Sequence, residues 1–195
     1  MTGALTAVQR RALTHRLQDA LGVITDRTAA QVARMWADVG GVTDADLEAF
    51  AKAVGPATTA AKDAAILTSS GFYATVLGLP PVAVLASEVP TAFDALAPFI
   101  VARKALGDGY PFDEALRMGG SAAQASTSDF VVSTSRRSGD VFLSNSGASA
   151  LGWERIAEAG ACLWCRARDG GIYDSSAAAD YGHDRCRCAP VPVAG

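Results

Sequence analysis

The sequence predicts a mainly α protein: an Ala-rich helical body over residues 1–150, followed by a small β-rich appendage over residues 151–195. Three observations lead there. Roughly one residue in five is alanine, the strongest helix former. Through the first part of the chain apolar residues recur at steps of three and four, the spacing of a helix face. Near Ala150 the pattern turns to alternation, and all four cysteines lie beyond that point.

The first helix is long. Leu13, Leu17, Leu21, Ile24, Thr28, Val32, Met35 and Val39 fall on one face, with Arg10, Arg16, Asp19, Asp26, Arg27 and Arg34 opposite. The stripe suits a core-facing helix, with a coiled-coil seam as the alternative. Gly40-Gly41 ends it. Thr43 is an N-cap, with Asp44, Asp46 and Glu48 at the positive end of the next helix. Leu47, Phe50, Ala51 and Val54 are its predicted apolar face, and Gly55-Pro56 is its predicted stop. A third helix is expected from Thr58 to Leu77, ended by Gly78-Leu79-Pro80-Pro81. Thr91 to Leu106 reads as a helix kinked or split at Pro98. After the loop Gly107 to Pro111, a further helix runs from Phe112 through Gly119-Gly120 to Ser138. Leu151 to Ile156 alternates as a strand, with Leu151, Trp153 and Arg155 on one face. Arg187 to Val193 is extended, and its prolines confine it to an edge strand or a tail.

Composition excludes some roles. The chain is 50% hydrophobic and 19% charged, too apolar for a disordered segment. Its longest apolar runs, Val82 to Ala86 and Phe99 to Ala102, fall far short of the ~20 residues a bilayer span needs, so no membrane role is expected. A net charge of −3 gives no whole-chain grip on nucleic acid. The start of the chain lacks the charged-then-apolar pattern of a cleaved secretion signal. His15 lies in the first amphipathic helix, and no serine has an identifiable base partner, so no catalytic residue is assigned.

Cys162, Cys165, Cys186 and Cys188, with His183, are spaced C-x2-C-x17-H-x2-C-x-C. A C-x2-C turn can offer two thiolates to one face of a tetrahedral ion, and a second cluster across a roughly 20-residue loop can offer the other face. A segment of about 45 residues buries too little apolar surface to hold itself together, so a structural zinc ion is a reasonable staple. Five candidates compete for four positions. Cys162, Cys165, His183 and Cys188 are preferred to the four-cysteine set. Two disulfides are the competing reading, weakened by the lack of a secretion signal. A hydrolytic zinc is disfavoured: the deaminase pattern needs H-x-E before P-C-x-x-C, whereas Cys162 comes first here and His183 is followed by Asp184. Arg166, Arg168, Arg185 and Arg187 surround the cluster and are candidates for phosphate contact. Pairing with Asp169, Asp174, Asp180 and Asp184 in the same stretch is the plainer expectation.

The segments Gly152-Trp153-Glu154-Arg155-Ile156, Gly160-Ala161-Cys162-Leu163-Trp164-Cys165, Asp169-Gly170-Gly171-Ile172-Tyr173 and His183-Asp184-Arg185-Cys186-Arg187-Cys188 resemble, in order and spacing, the minor head proteins of tailed bacteriophages related to the Mu F protein. The likeness covers the C-terminal segment; the helical body is only compatible with it. The resemblance implies a structural virion component and not an enzyme. Such a minor capsid protein would be made in the bacterial cytoplasm and sit inside the capsid. It would associate with the portal protein or the major capsid protein, and act in head morphogenesis and DNA packaging or delivery. A zinc-ribbon nucleic-acid-binding module and a capsid maturation protease are the rival expectations.

Overall fold

The computed structural model describes residues 5–148, 150–179 and 188–193. Helices dominate: α1 (Ala7–Ala37), α2 (Asp44–Leu77), α3 (Ala97–Gly107) and α4 (Phe112–Ser146) form the body. They are followed by strand β1 (Gly152–Ile156), the one-turn helix α5 (Leu163–Arg166), β2 (Ile172–Tyr173), the one-turn helix α6 (Ser176–Ala179) and β3 (Ala189–Val193). The three strands form one antiparallel sheet in the order β2-β1-β3. No helix among the described residues is long and apolar enough to cross a membrane.

Local chemistry starts the two longest N-terminal helices. Thr6 caps α1 through a reciprocal pair with Gln9, and Thr43 caps α2 through the same device with Asp46. The α1 stripe is buried at Leu17, Leu21, Thr28 and Val32, and Trp36 joins them near the C-terminal end. Leu17 and Leu21 enter the main core with Tyr73 of α2 and Phe142 of α4. Val32 and Trp36 enter a second cluster with Phe50, Val54 and Phe99. There Trp36 meets Phe50 and Phe99 edge-on at 5.2 and 5.0 Å between ring centroids.

Several boundaries differ from the sequence expectation. Gly55-Pro56 does not stop α2, which continues as one helix to Leu77. Pro56 deprives only the Lys52 carbonyl of its helical donor, and both residues are solvent-exposed, so water can take the lost bond. Phe50 and Val54 before the proline, and Ala61 and Ala65 after it, are buried and hold both halves in place. Ala51, placed on the apolar face from sequence, is exposed. Pro98 lies in the first turn of α3 and not in its middle. The Asp94 carboxylate accepts the N–H groups of Leu96 and Ala97 there, and residues 91–96 are not helical.

Helix α4 runs eight residues past the expected Ser138, to Ser146. Its glycines are notches for aromatic rings. A Cβ at Gly119 would sit 2.4 Å from Trp36 Cζ2, and one at Gly139 would sit 2.3 Å from Tyr73 Cζ. The Trp36 indole N–H donates to the Leu116 carbonyl at 2.8 Å, fixing the ring over the first notch.

All five residues of β1 are buried. The expected face of Leu151, Trp153 and Arg155 therefore needs correcting: Leu151 is 77% exposed, whereas Glu154 on the other face is covered. The reason is α1, whose Arg10 lies 3.2 Å from the Glu154 carboxylate and covers that side. Trp153, Ile156 and Val191 belong to the main core with Leu17, Tyr73 and Phe142, so sheet and helices share one interior. The extended end of the chain is an edge strand as expected, with Pro190 opposite Arg155 and Pro192 opposite Trp153.

Candidate cysteine site

The C-x2-C pair sits on a loop inserted between β1 and β2. Hydrogen bonds close the loop at its base: Gly170 N–H donates to the Arg155 carbonyl at 2.7 Å, and Arg155 N–H to the Gly171 carbonyl at 2.9 Å. Gly160 and Gly170 supply the left-handed turns, with φ of 81° and 77°. Asp169 ties the two sides together. Its carboxylate accepts the Ala157 N–H at 2.9 Å and pairs with Arg11 of α1 at 2.7 Å. Burial alone would raise this carboxyl, but the hydrogen bonds from Arg11 and Ala157, with the charge of Arg11, outweigh it and hold the group below the usual carboxylate range. Gln18 of α1 adds a bond from Nε2 to the Ile156 carbonyl at 3.2 Å.

Cys162 is the N-cap residue of α5 and is exposed. Cys165, in the same turn, is 1% exposed. Cys188 directly precedes β3, whose register sets Ala189 opposite Ile156. That register carries Cys188 to the end of β1 where the cysteine loop departs. Cys165 and Cys188 are accordingly buried together with Ala157 and Ala161, and Trp164 packs against this cluster. The Trp164 ring has guanidinium groups near it, Arg168 at 3.8 Å and Arg155 at 5.4 Å from the centroid.

The two buried sulfurs of Cys165 and Cys188 are soft donors of the kind zinc takes. Among the described residues no group of three or more His, Cys, Asp and Glu is close enough to hold a metal ion. The other two candidates, His183 and Cys186, lie outside the described residues, as do Asp180, Asp184, Arg185 and Arg187. Of the five predicted ligands the structure thus brings Cys165 and Cys188 together and leaves Cys162 at the surface.

Arg166 and Arg168 are exposed. Among the described residues Asp169 pairs not with Arg166 or Arg168 but with Arg11, at the other end of the sequence. His15 is half-buried, its Nδ1 3.0 Å from Gln18 Oε1, so it helps to hold the residue that grips β1. Sequence reasoning missed the parts played by Arg136, Arg155 and Tyr73. Arg136 of α4 donates from Nη2 to the Cys188 carbonyl at 3.1 Å, and Tyr73 of α2 donates its hydroxyl to the Pro190 carbonyl at 3.3 Å. An arginine in a strand and a tyrosine in a helix carry no local signal for such contacts. Comparison of the chain with protein-family models, curated proteins and solved structures finds no match.

Proposed function

We propose that this chain is a structural minor head protein of a tailed bacteriophage, of the Mu F-like kind, lying inside the capsid in association with the portal. In this reading its C-terminal cysteine set holds one structural zinc ion. The observation that supports it most is the convergence of Cys165 and Cys188. These residues belong to the two ends of the motif that carries the resemblance, and they are buried in one cluster beside the sheet. Such a site is a staple: ligand exchange is not its purpose, and the protein works through its surfaces. The long helices supply the larger surface, for the portal or the major capsid protein. Exposed Arg166 and Arg168 are the described basic groups through which packaged DNA would be met.

Two measurements on the intact chain test this. Elemental analysis should find about one zinc per chain, released by chelator or by acid as thiolates protonate. Co-expression with a tailed-phage portal protein from the same genome should give a complex that co-elutes in size exclusion. A metal-free chain with two disulfides would overturn the zinc assignment. Failure to co-elute with portal, together with absence from purified particles, would overturn the virion role.

A further inference from the structure

We infer that Arg155 and Arg136 are positioning residues for the two buried cysteines, so that the sulfur pair is set from the sheet and the helical body as well as by its own loop. The inference rests on the metal reading above. Arg155 is 1% exposed and is the largest fully buried side chain among the described residues. Its main chain is locked against Gly170 and Gly171, which fixes where the side chain starts. From there Nη1 donates to the Ala179 carbonyl at 2.7 Å, and Nη2 reaches Cys165 Sγ at 3.7 Å. The first bond orients the guanidinium plane; the second aims a charged N–H at the sulfur. Arg136 acts on the other cysteine through the main chain, at the Cys188 carbonyl. Tyr73 holds the carbonyl two residues further on.

This arrangement suits sulfurs that ligate a metal. A ligating sulfur carries negative charge, and a charge-assisted N–H both offsets that charge and fixes the ligand's direction. Burying a guanidinium is costly, and packing alone would be served as well by an apolar side chain. Among the described contacts of Arg155, the Cys165 sulfur is the one whose charge metal ligation would change. Because Arg136 belongs to α4 and Arg155 to the strand that fills the main core, an intact body is a condition for the pair to be in place.

The test uses the full-length chain, zinc ion in competition with a chelator, and cobalt(II) as a spectroscopic probe of thiolate ligation. Arg155→Met should weaken zinc binding about 10–100-fold and alter the cobalt–thiolate absorption. Arg136→Met should weaken binding towards the lower end of that range. Arg155→Lys, which keeps the charge, should recover part of the loss. Arg10→Met breaks a different arginine contact to β1, the pair with Glu154, and should leave both readouts at wild-type values. Far-UV circular dichroism at saturating zinc establishes that each variant is folded. If Arg155→Met does not fold, Arg155→Lys and Arg136→Met decide by the same readouts. Folded variants with wild-type affinity and an unchanged cobalt spectrum would overturn the inference alone. A wild-type chain that takes up neither ion would overturn the metal reading and the inference with it.

Discussion

Asp169 joins the two ends of the chain at a single carboxylate, since its partners are Arg11 in the first helix and the Ala157 N–H at the base of the cysteine loop. Its folded carboxyl lies below the ordinary value of 3.8, and Arg11 is correspondingly pushed up, chiefly by the hydrogen bond to Asp169. The direction fixes the pH dependence. A carboxyl depressed in the folded state contributes stability above its unfolded pKa, and that contribution is lost as pH falls through the folded value. Asp169→Asn should therefore lower the urea midpoint at neutral pH. The gap from wild type should close as pH drops through the acid range below the ordinary carboxylate value. A gap that stays constant down to acid pH would mean that the charge of Asp169 adds nothing. None of this was legible in the sequence, because Arg11 and Asp169 are neighbours only in space; the local rule paired Asp169 with nearby arginines instead.

Helix α2 shows where local rules hold and where packing overrides them. Thr43 was legible as an N-cap and Asp46 as a charge suited to the helix start, because both signals are local; the reciprocal bond between them is a finding of the structure. Gly78 was legible as an end, and its φ of 64° is the left-handed turn a C-terminal glycine supplies. Pro56 misled, because its cost is local whereas the burial that outweighs it comes from α1, α3 and α4. Pro56→Ala restores a donor to the Lys52 carbonyl at an exposed position. It should raise the thermal midpoint, against an interior-helix proline cost of about 3 kcal/mol. A lower midpoint would show that the proline matches a bend the packing requires. Pro98 misled in the opposite sense: the same residue type that breaks a helix also starts one, and Asp94 takes the N–H groups of Leu96 and Ala97 just before it. The cysteine site divides likewise. The spacing of Cys162, Cys165 and Cys188 is a one-dimensional signal, whereas the arginines that contact the Cys165 sulfur and the Cys188 carbonyl come from separate elements.

At the scale of the molecule, the sheet and the helices close one core around Leu17, Tyr73, Phe142, Trp153, Ile156 and Val191. Removing residues 151–195 should expose that interior. The remaining helices should lose cooperative unfolding and bind a hydrophobic dye; a truncated chain that melts cooperatively at the wild-type midpoint would show that the body stands alone. The same closure settles how the sheet meets its surroundings. On β3, Pro190 and Pro192 have no N–H to give, and the Pro190 carbonyl is taken by Tyr73. At the opposite margin β2 is two residues long. Neither margin is a template on which a second copy could add its own strand. Crowded copies of this protein should therefore stay separate at the described β elements.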